Sequence, residues 1–190
     1  MSNEPSLKNR LVPNRDCGGC IVCCKDLTIN EPEIQKPPGI LCKHCSLENG
    51  GCGIYETRPL ICRSWFCGWR VLPQLDELWR PDKSEVLVTL SYDGIPEKYQ
   101  QKAGLEFTLI GSPQKTHWQP LVEFIAGLVS TEVPVFIAVL GKPGHASSKV
   151  LVNDGVLAAL ESCDFSKVGD HLASALEICV KHAEEKVLER

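Results

Sequence analysis

Regular alternation of hydrophobic and polar positions begins only after about residue 83 of this chain. Alternating apolar side chains predict strands over residues 85–92 and 105–110. A continuous apolar run over residues 135–140 predicts a central strand, and residues 149–152 predict the strand that follows it. The side chains expected on one face of the first strand are Val86, Val88, Leu90 and Tyr92.

Three helices are predicted from apolar positions that recur at steps of three and four. The first covers residues 118–129, with Pro120 in its first turn. The second covers residues 154–160 and is capped by Asp154. The third is a long amphipathic helix over residues 168–187. Two cysteines, Cys163 and Cys179, are expected in the core on apolar helix faces.

The order β-β-α-β-β-α-α predicts an α+β domain with a mixed sheet and helices over residues 71–190. Before it, residues 16–70 are rich in cysteine and glycine and have little aliphatic periodicity. This segment is predicted to be a metal-binding module of loops and short helices. Residues 1–15 are polar and without periodicity, so we expect a flexible tail.

Composition excludes several classes of function. The net charge of −4 does not favour binding to nucleic acid. The longest apolar run, residues 135–140, is far too short to cross a membrane. The first residues contain no apolar segment typical of a secretory signal. We therefore expect a cytoplasmic protein that binds neither nucleic acid nor membrane.

Cysteine is the exceptional residue, with nine of the eleven cysteines lying within residues 17–67. A disulfide scaffold would need an oxidising compartment, and it would leave one cysteine unpaired in this segment and in the whole chain. Ligation of a metal explains the density better. Cys17, Cys20 and Cys23 are each separated by two residues, a spacing that lets thiolates converge on one metal.

The adjacent pair Cys23 and Cys24 complicates a single mononuclear site. Neighbouring side chains tend to diverge, so the pair favours two sites or one polynuclear centre. Downstream, His44 lies between Cys42 and Cys45 and is the one histidine that we consider a candidate ligand.

A short helix is predicted near the end of the module. Pro59 fits its first turn and Thr57 its cap, and the helix would carry Cys62 towards the other ligands. Arg58 and Arg63 are expected to offset the negative charge of several thiolates.

The C-x2-C-x2-C-C pattern, followed by Cys42, residues 51–55 (GCGIY), Arg58-Pro59, Cys62-Arg63 and Cys67, resembles the CxxCxxCC (YkgJ-type) family of zinc- or iron-chelating domains. The resemblance covers residues 16–70. A similar cysteine domain accompanies flagellin lysine-N-methylases, but methyl transfer is not implied for this chain. The metal ligands that the resemblance implies are Cys17, Cys20, Cys23, Cys24, Cys42, Cys52, Cys62 and Cys67. Less certain candidates are Cys45 and His44.

The pattern leaves the metal open between zinc and iron. Eight thiolates would fill two structural zinc sites, whereas the repeated two-residue spacing is also typical of iron–sulfur proteins. Trp65, Phe66 and Trp69 could shield a cluster or form a small core. No catalytic constellation is found, so an enzyme is not favoured. We expect a structural or accessory metal-binding protein, a role compatible with an unidentified protein partner. The alternative is an iron–sulfur redox or electron-transfer protein, or an accessory to a modification enzyme.

Overall fold

The computed structural model describes residues 10–46, 48, 50–99, 103–143 and 145–185. The chain divides into two compact units, Met1–Leu87 and Val88–Arg190. Residues 1–9 of the predicted tail and Val187 of the predicted last helix lie outside the described residues. Within the described part, no helix is both long enough and apolar enough to span a membrane.

Short elements make up the described part of the first unit. Its helices are α1 (Val22–Asp26), α2 (Leu60–Ser64), α3 (Gly68–Val71) and α4 (Pro81–Ser84). Its strands are β1 (Ile29–Glu31), β2 (Ile34–Lys36), β3 (Cys45–Ser46) and β4 (Gly51–Cys52). Strand β1 pairs with β2 and β3 pairs with β4, both antiparallel, with Cys45 opposite Cys52. The two hairpins were not predicted, because strands this short carry no hydrophobic periodicity.

The helix that carries Cys62 is present, but its predicted start is wrong. Thr57 ends a separate 3-10 turn, Tyr55–Thr57, and does not cap the helix. Pro59 is itself the residue before α2, with extended backbone and no side-chain cap. The fixed φ of proline suits this boundary as well as it suits a first turn.

A mixed four-stranded sheet has the order β5-β6-β7-β8. Its strands are β5 (Val86–Ser91), β6 (Gly104–Leu109), β7 (Val135–Val139) and β8 (Ser148–Leu151). Strand β7 pairs parallel with β6 and antiparallel with β8, so it is interior to the sheet as predicted. The helices α5 (Gln119–Ser130), α6 (Asn153–Glu161) and α7 (Ser166–Glu185) complete the α+β architecture, which is confirmed.

The first predicted strand is present with Val86 and Val88 buried, but it ends before Tyr92 and its start is not one-sided. Residues 86–88 are all buried, so the strand is covered on both faces where it starts. Its last residue, Ser91, is also buried, and its hydroxyl accepts a hydrogen bond of 2.8 Å from Lys149 Nζ. Tyr92 lies beyond the end of the strand and is 71% exposed.

Helix α7 buries the predicted stripe, including Leu172 and Cys179. Two other predictions fail at the helix that precedes it. Asp154 does not cap α6; it lies in the first turn and pairs with Lys98 at 2.6 Å. Cys163 is exposed rather than in the core. It follows the end of α6 and has a left-handed backbone (φ 54°). Because this conformation turns the chain away from the helix, Cys163 does not lie on the apolar face of α6.

Candidate metal centre

One pocket of the first unit gathers the cysteines that the sequence singled out. Its volume is about 200 Å³. The cysteines that line it are Cys17, Cys20, Cys23, Cys24, Cys42, Cys52, Cys62 and Cys67. They are the same eight that the family resemblance implies. His44 also lines this pocket, whereas Cys45 does not.

A tight turn and a close backbone contact bring two cysteine segments together. The Cys20 N–H donates to the Cys17 carbonyl at 2.8 Å, with Gly18 in a left-handed conformation between them. Gly51 has a φ of 137°, and a Cβ there would lie 2.9 Å from the Gly18 carbonyl oxygen. Strand β4, which carries Cys52, can therefore approach the Cys17–Cys20 turn this closely only because position 51 is a glycine.

Backbone hydrogen bonds fix the second pair of segments. The Cys42 N–H donates to the Cys24 carbonyl at 2.9 Å, which ties the Cys42 loop to α1. The Cys45 N–H donates in turn to the Cys42 carbonyl at 2.9 Å. Since Cys45 pairs with Cys52 across the β3–β4 hairpin, four cysteines from three segments are held side by side.

Three cysteines with mutual electrostatic interactions form what we call the first thiol group: Cys17, Cys20 and Cys67. Burial raises the pKa of Cys20 and of Cys67 to about 11, and the neighbouring thiols of the group act in the same direction. Asp82, in the first turn of α4, accepts a hydrogen bond from the Cys20 thiol. The Arg80 guanidinium beside Asp82 holds the pKa of that carboxyl below its usual range.

Backbone N–H groups point at two of these sulfur atoms. The Cys20 Sγ accepts from Val22 N–H, and the Cys67 Sγ accepts from Trp69 and Arg70 N–H in the first turn of α3. Such bonds favour the thiolate form and oppose the effect of burial. Hydrogen-bond donors of this kind commonly surround metal-bound thiolates.

The other six cysteines of the module form the second thiol group. They are Cys23, Cys24, Cys42, Cys45, Cys52 and Cys62. The Cys45 thiol donates a hydrogen bond to Cys24, which donates to Cys23. The bond to Cys23, followed by burial, raises the pKa of Cys24 far above its usual range. Burial raises the pKa of Cys45 to about 11.

A buried lysine faces the second thiol group. Lys36 is only 5% exposed, and its Nζ donates to the Lys25 carbonyl at 2.7 Å and to the Pro37 carbonyl at 3.1 Å. Burial lowers the pKa of Lys36, while Asp26 and the thiols of Cys42, Cys24 and Cys23 act to raise it. A positive charge is thus held next to the cysteines where α1 ends.

One of the two arginines expected to offset thiolate charge lies at the pocket. Arg58 Nε donates to the Tyr55 carbonyl at 2.8 Å, and its guanidinium lies 3.6 Å from the centre of the Tyr55 ring. It acts electrostatically on Cys24 and Cys62. Arg63 is exposed on α2 and does not line the pocket.

The three aromatic residues at the end of the module, Trp65, Phe66 and Trp69, all line the same pocket. Trp69 is 4% exposed and also belongs to the core of the first unit, together with Leu75 and Trp79. The core interpretation is therefore confirmed for Trp69, and the shielding of a cluster stays a prediction.

The cysteine side chains do not form a finished coordination shell. Among the residues that the structure describes, no three or more histidine, cysteine or acidic side chains are arranged so that they could hold a metal ion. All eleven cysteines are free thiols, and no disulfide links them. What converges is the backbone segments and their charged neighbours, and the thiols of Cys23, Cys24 and Cys45 are linked by hydrogen bonds.

Two charged residues that act electrostatically on the cysteines, Lys36 and Asp82, were missed by the reasoning from sequence, although neither lines the pocket. Lys36 had a usable signal, because residues 34–36 alternate and place it on the same buried face as Ile34. Asp82 had none, since nothing in the sequence relates α4 to a cysteine more than sixty positions earlier.

Comparison with known proteins adds no relative: no protein-family model, no curated protein and no solved structure matches this chain. The likeness to the CxxCxxCC family is therefore a resemblance of motifs over residues 16–70. Any functional conclusion has to be argued from the cysteines and their surroundings.

Proposed function

We propose that the first unit binds zinc or iron through the eight cysteines of its pocket and serves as a structural or accessory metal-binding module. The observation that carries this proposal is that the eight cysteines implied by the resemblance to the CxxCxxCC family line one pocket of about 200 Å³. Only one cysteine of the segment, Cys45, lies off that lining.

The chemistry of the donor set suits these metals. Thiolates are soft ligands that select zinc, copper(I) and iron–sulfur centres over magnesium or calcium. Lys36 and Arg58 supply positive charge beside the second thiol group, which offsets the charge left by several thiolates around one or two cations. In the first thiol group, the backbone N–H groups that donate to the sulfur atoms of Cys20 and Cys67 favour the negatively charged thiolate form.

Binding requires the thiols to release protons and to turn towards one another. The raised pKa values of Cys20, Cys45 and Cys67 mean that the metal has to displace protons that are held at neutral pH. The thiol–thiol hydrogen bonds are lost at the same time. Metal binding is thereby coupled to ordering of the cysteine segments, as in other small metal-dependent modules.

An iron–sulfur redox or electron-transfer role is the second candidate. The observation that favours it is the second thiol group, in which six cysteines, including the adjacent Cys23 and Cys24, are more than one tetrahedral ion can use. A polynuclear centre accommodates such a set. In either case we place the protein in the cytoplasm, because a reducing compartment keeps cysteine thiols free to bind metal.

Metal and sulfide analysis of the full chain, purified without oxygen, tests the proposal. We expect about two zinc ions per chain, since each structural site takes four thiolates, or iron with labile sulfide and visible absorbance. Cys20→Ser and Cys62→Ser, one from each thiol group, should each lose bound metal. Cys163→Ser is the matched control, because Cys163 is exposed and outside the pocket.

A chain that contains no metal, or that keeps all of it in both pocket variants, would contradict the proposal. A colourless protein with zinc excludes the iron–sulfur candidate. A coloured protein with iron and sulfide excludes the purely zinc-based one.

A further inference from the structure

Two buried side-chain donors beside the cysteines lack a hydrogen-bond partner. Trp69 and Arg70 are neighbours in α3 and are 4% and 6% exposed. The indole Nε1 of Trp69 and the guanidinium Nε of Arg70 have no hydrogen-bond partner among the described residues. Both residues line the pocket of the eight cysteines. Buried donors in native proteins are nearly always paired, so an acceptor for these two N–H groups has to be identified.

Arg70 also brings a positive charge into the pocket, because a guanidinium stays protonated even when it is buried. Its Nη1 donates to the Arg15 carbonyl, and its guanidinium lies 5.8 Å from the centre of the Phe66 ring. Neither contact supplies a full negative charge. The described residues that line the pocket include two arginines, Arg58 and Arg70, and no aspartate or glutamate. Since a buried charge without a partner is costly, this pocket favours an occupant with net negative charge.

Backbone contacts hold Arg70 between two cysteine segments. Its N–H donates to the Cys67 carbonyl at 3.0 Å, and its own carbonyl accepts from Val12 N–H at 2.9 Å. The Arg15 carbonyl, which accepts from its guanidinium, comes two positions before Cys17. The guanidinium is therefore positioned by the protein chain itself, next to the segments that carry Cys17 and Cys67.

The pocket can supply the missing negative charge itself, through its cysteines. A cysteine that binds a metal loses its proton, and four thiolates around one Zn²⁺ leave a net charge of about −2. Hydrogen bonds to such ionised acceptors are stronger than those between neutral groups. Metal-bound thiolates would thus provide both what the two unpaired donors lack and what the charge of Arg70 lacks.

We propose that, when metal is bound, the Trp69 indole N–H and the Arg70 guanidinium donate hydrogen bonds to cysteine thiolates, and that Arg70 is a counter-ion of the loaded centre. This inference rests on the proposed metal-binding function. It adds two positioning residues that do not themselves bind the metal and that follow the last cysteine of the module.

The indole N–H resonances of the full-length protein test the role of Trp69. Metal-free, isotopically labelled chain is kept reduced and saturated with Zn²⁺, and Trp69→Phe identifies the resonance. The Trp69 indole proton should move downfield, because its new acceptor is ionised. The resonance of Trp118, which belongs to the second unit, is the reference and should not move.

Two results of this titration would overturn the inference. One is a Trp69 resonance that does not move in zinc-saturated protein. The other is a downfield shift that inorganic phosphate causes in the metal-free chain and Zn²⁺ does not, which would assign the two donors to an oxyanion instead.

Two substitutions of Arg70 separate its charge from its shape. Arg70→Gln removes the charge and should weaken metal binding about 10–100-fold, the range typical of residues that surround a metal site. Arg70→Lys keeps the charge and should bind metal more tightly than Arg70→Gln. Competition with a chelator measures both in the full-length chain. Arg63→Gln is the matched control, because Arg63 is exposed on α2 and does not line the pocket, and it should behave as the wild type.

The two proposals fail in different ways. If the wild type takes up neither Zn²⁺ nor iron with sulfide, the proposed function is wrong and this inference falls with it. If the wild type binds metal and Arg70→Gln binds it equally well, or if Arg70→Lys is weakened as much as Arg70→Gln, only the role of Arg70 is wrong. Should Arg70→Gln fail to fold, the Trp69 resonance of the wild type still decides.

Discussion

At the scale of single residues, the contact between strand β4 and the Cys17–Cys20 turn depends on Gly51, because glycine has no Cβ. Gly51 lies against the Gly18 carbonyl, and its φ of 137° is one that other residues rarely adopt. Gly51→Ala should destabilise the first unit by about 1–3 kcal/mol, the cost of a strained backbone conformation. It should also reduce bound metal, because strand β4 and Cys52 would be pushed away from the Cys17–Cys20 turn.

Gly19→Ala provides the comparison within the same turn. A Cβ at Gly19 would meet no atom within 4 Å, and its φ is outside the left-handed range. We therefore expect metal content and urea unfolding of this variant to match the wild type. Equal effects of the two substitutions would mean that the contact at Gly51 is not what positions the hairpin.

Residues of the candidate site were predictable to the extent that cysteine itself carries the chemistry. Spacing pointed to Cys17, Cys20 and Cys23, since a metal constrains the distance between ligands along the chain, and the family resemblance supplied the other five cysteines of the pocket lining. Spacing could not identify Asp82, whose position beside Cys20 depends on how α4 packs against the Cys17–Cys20 turn. Arg58 and Arg63 looked equivalent in the sequence, and only the path of the chain separates the one that lines the pocket from the exposed one.

At the scale of elements, a buried asparagine joins α6 to the central strand. Asn153 is fully buried; its Oδ1 accepts from Val135 N–H at 2.8 Å and its Nδ2 donates to the Val133 carbonyl at 2.7 Å. Asn153→Ala would leave both backbone groups without this partner, and each such loss costs about 1–3 kcal/mol. We expect faster amide hydrogen exchange in β7 and α6.

The neighbouring Asp154→Asn serves as its control. Asp154 pairs with Lys98 at the surface, with both side chains more than half exposed, and such pairs contribute little. Exchange in β7 should stay as in the wild type. If Asn153→Ala left β7 equally protected, its two hydrogen bonds would not be what secures the strand.

Elements long enough to show a hydrophobic pattern were predicted well, and the shortest elements were not. Strand β6 and helices α5–α7 follow from periodic apolar positions, because burial of one face leaves that pattern in the sequence, and β7 follows from a continuous apolar run. The β1–β2 and β3–β4 hairpins have two or three residues per strand, too few for a period. Backbone contacts around the cysteines fix the β3–β4 hairpin instead.

At the scale of the whole molecule, the two units differ in what stabilises them. The second unit has an extensive buried core that includes Phe107, Ile125, Ile137 and Leu172. The first unit buries fewer large side chains, chiefly Trp69, Leu75 and Trp79. Small folds with modest cores commonly depend on a bound metal or disulfides, and here every cysteine is free.

Removal of the metal should therefore act on one unit. Structural zinc contributes about 10–16 kcal/mol of binding free energy in small modules, which exceeds the total stability of most domains. When the full-length protein is treated with a chelator under reducing conditions, we expect amide exchange to become fast across residues 17–67 and to stay slow in β6, β7 and α7. Zn²⁺ added back should restore protection if zinc is the bound metal, whereas an iron–sulfur centre would need iron and sulfide. Loss of protection in both units together would mean that the second unit does not fold by itself, and unchanged exchange in both would mean that the metal does not stabilise the cysteine segments.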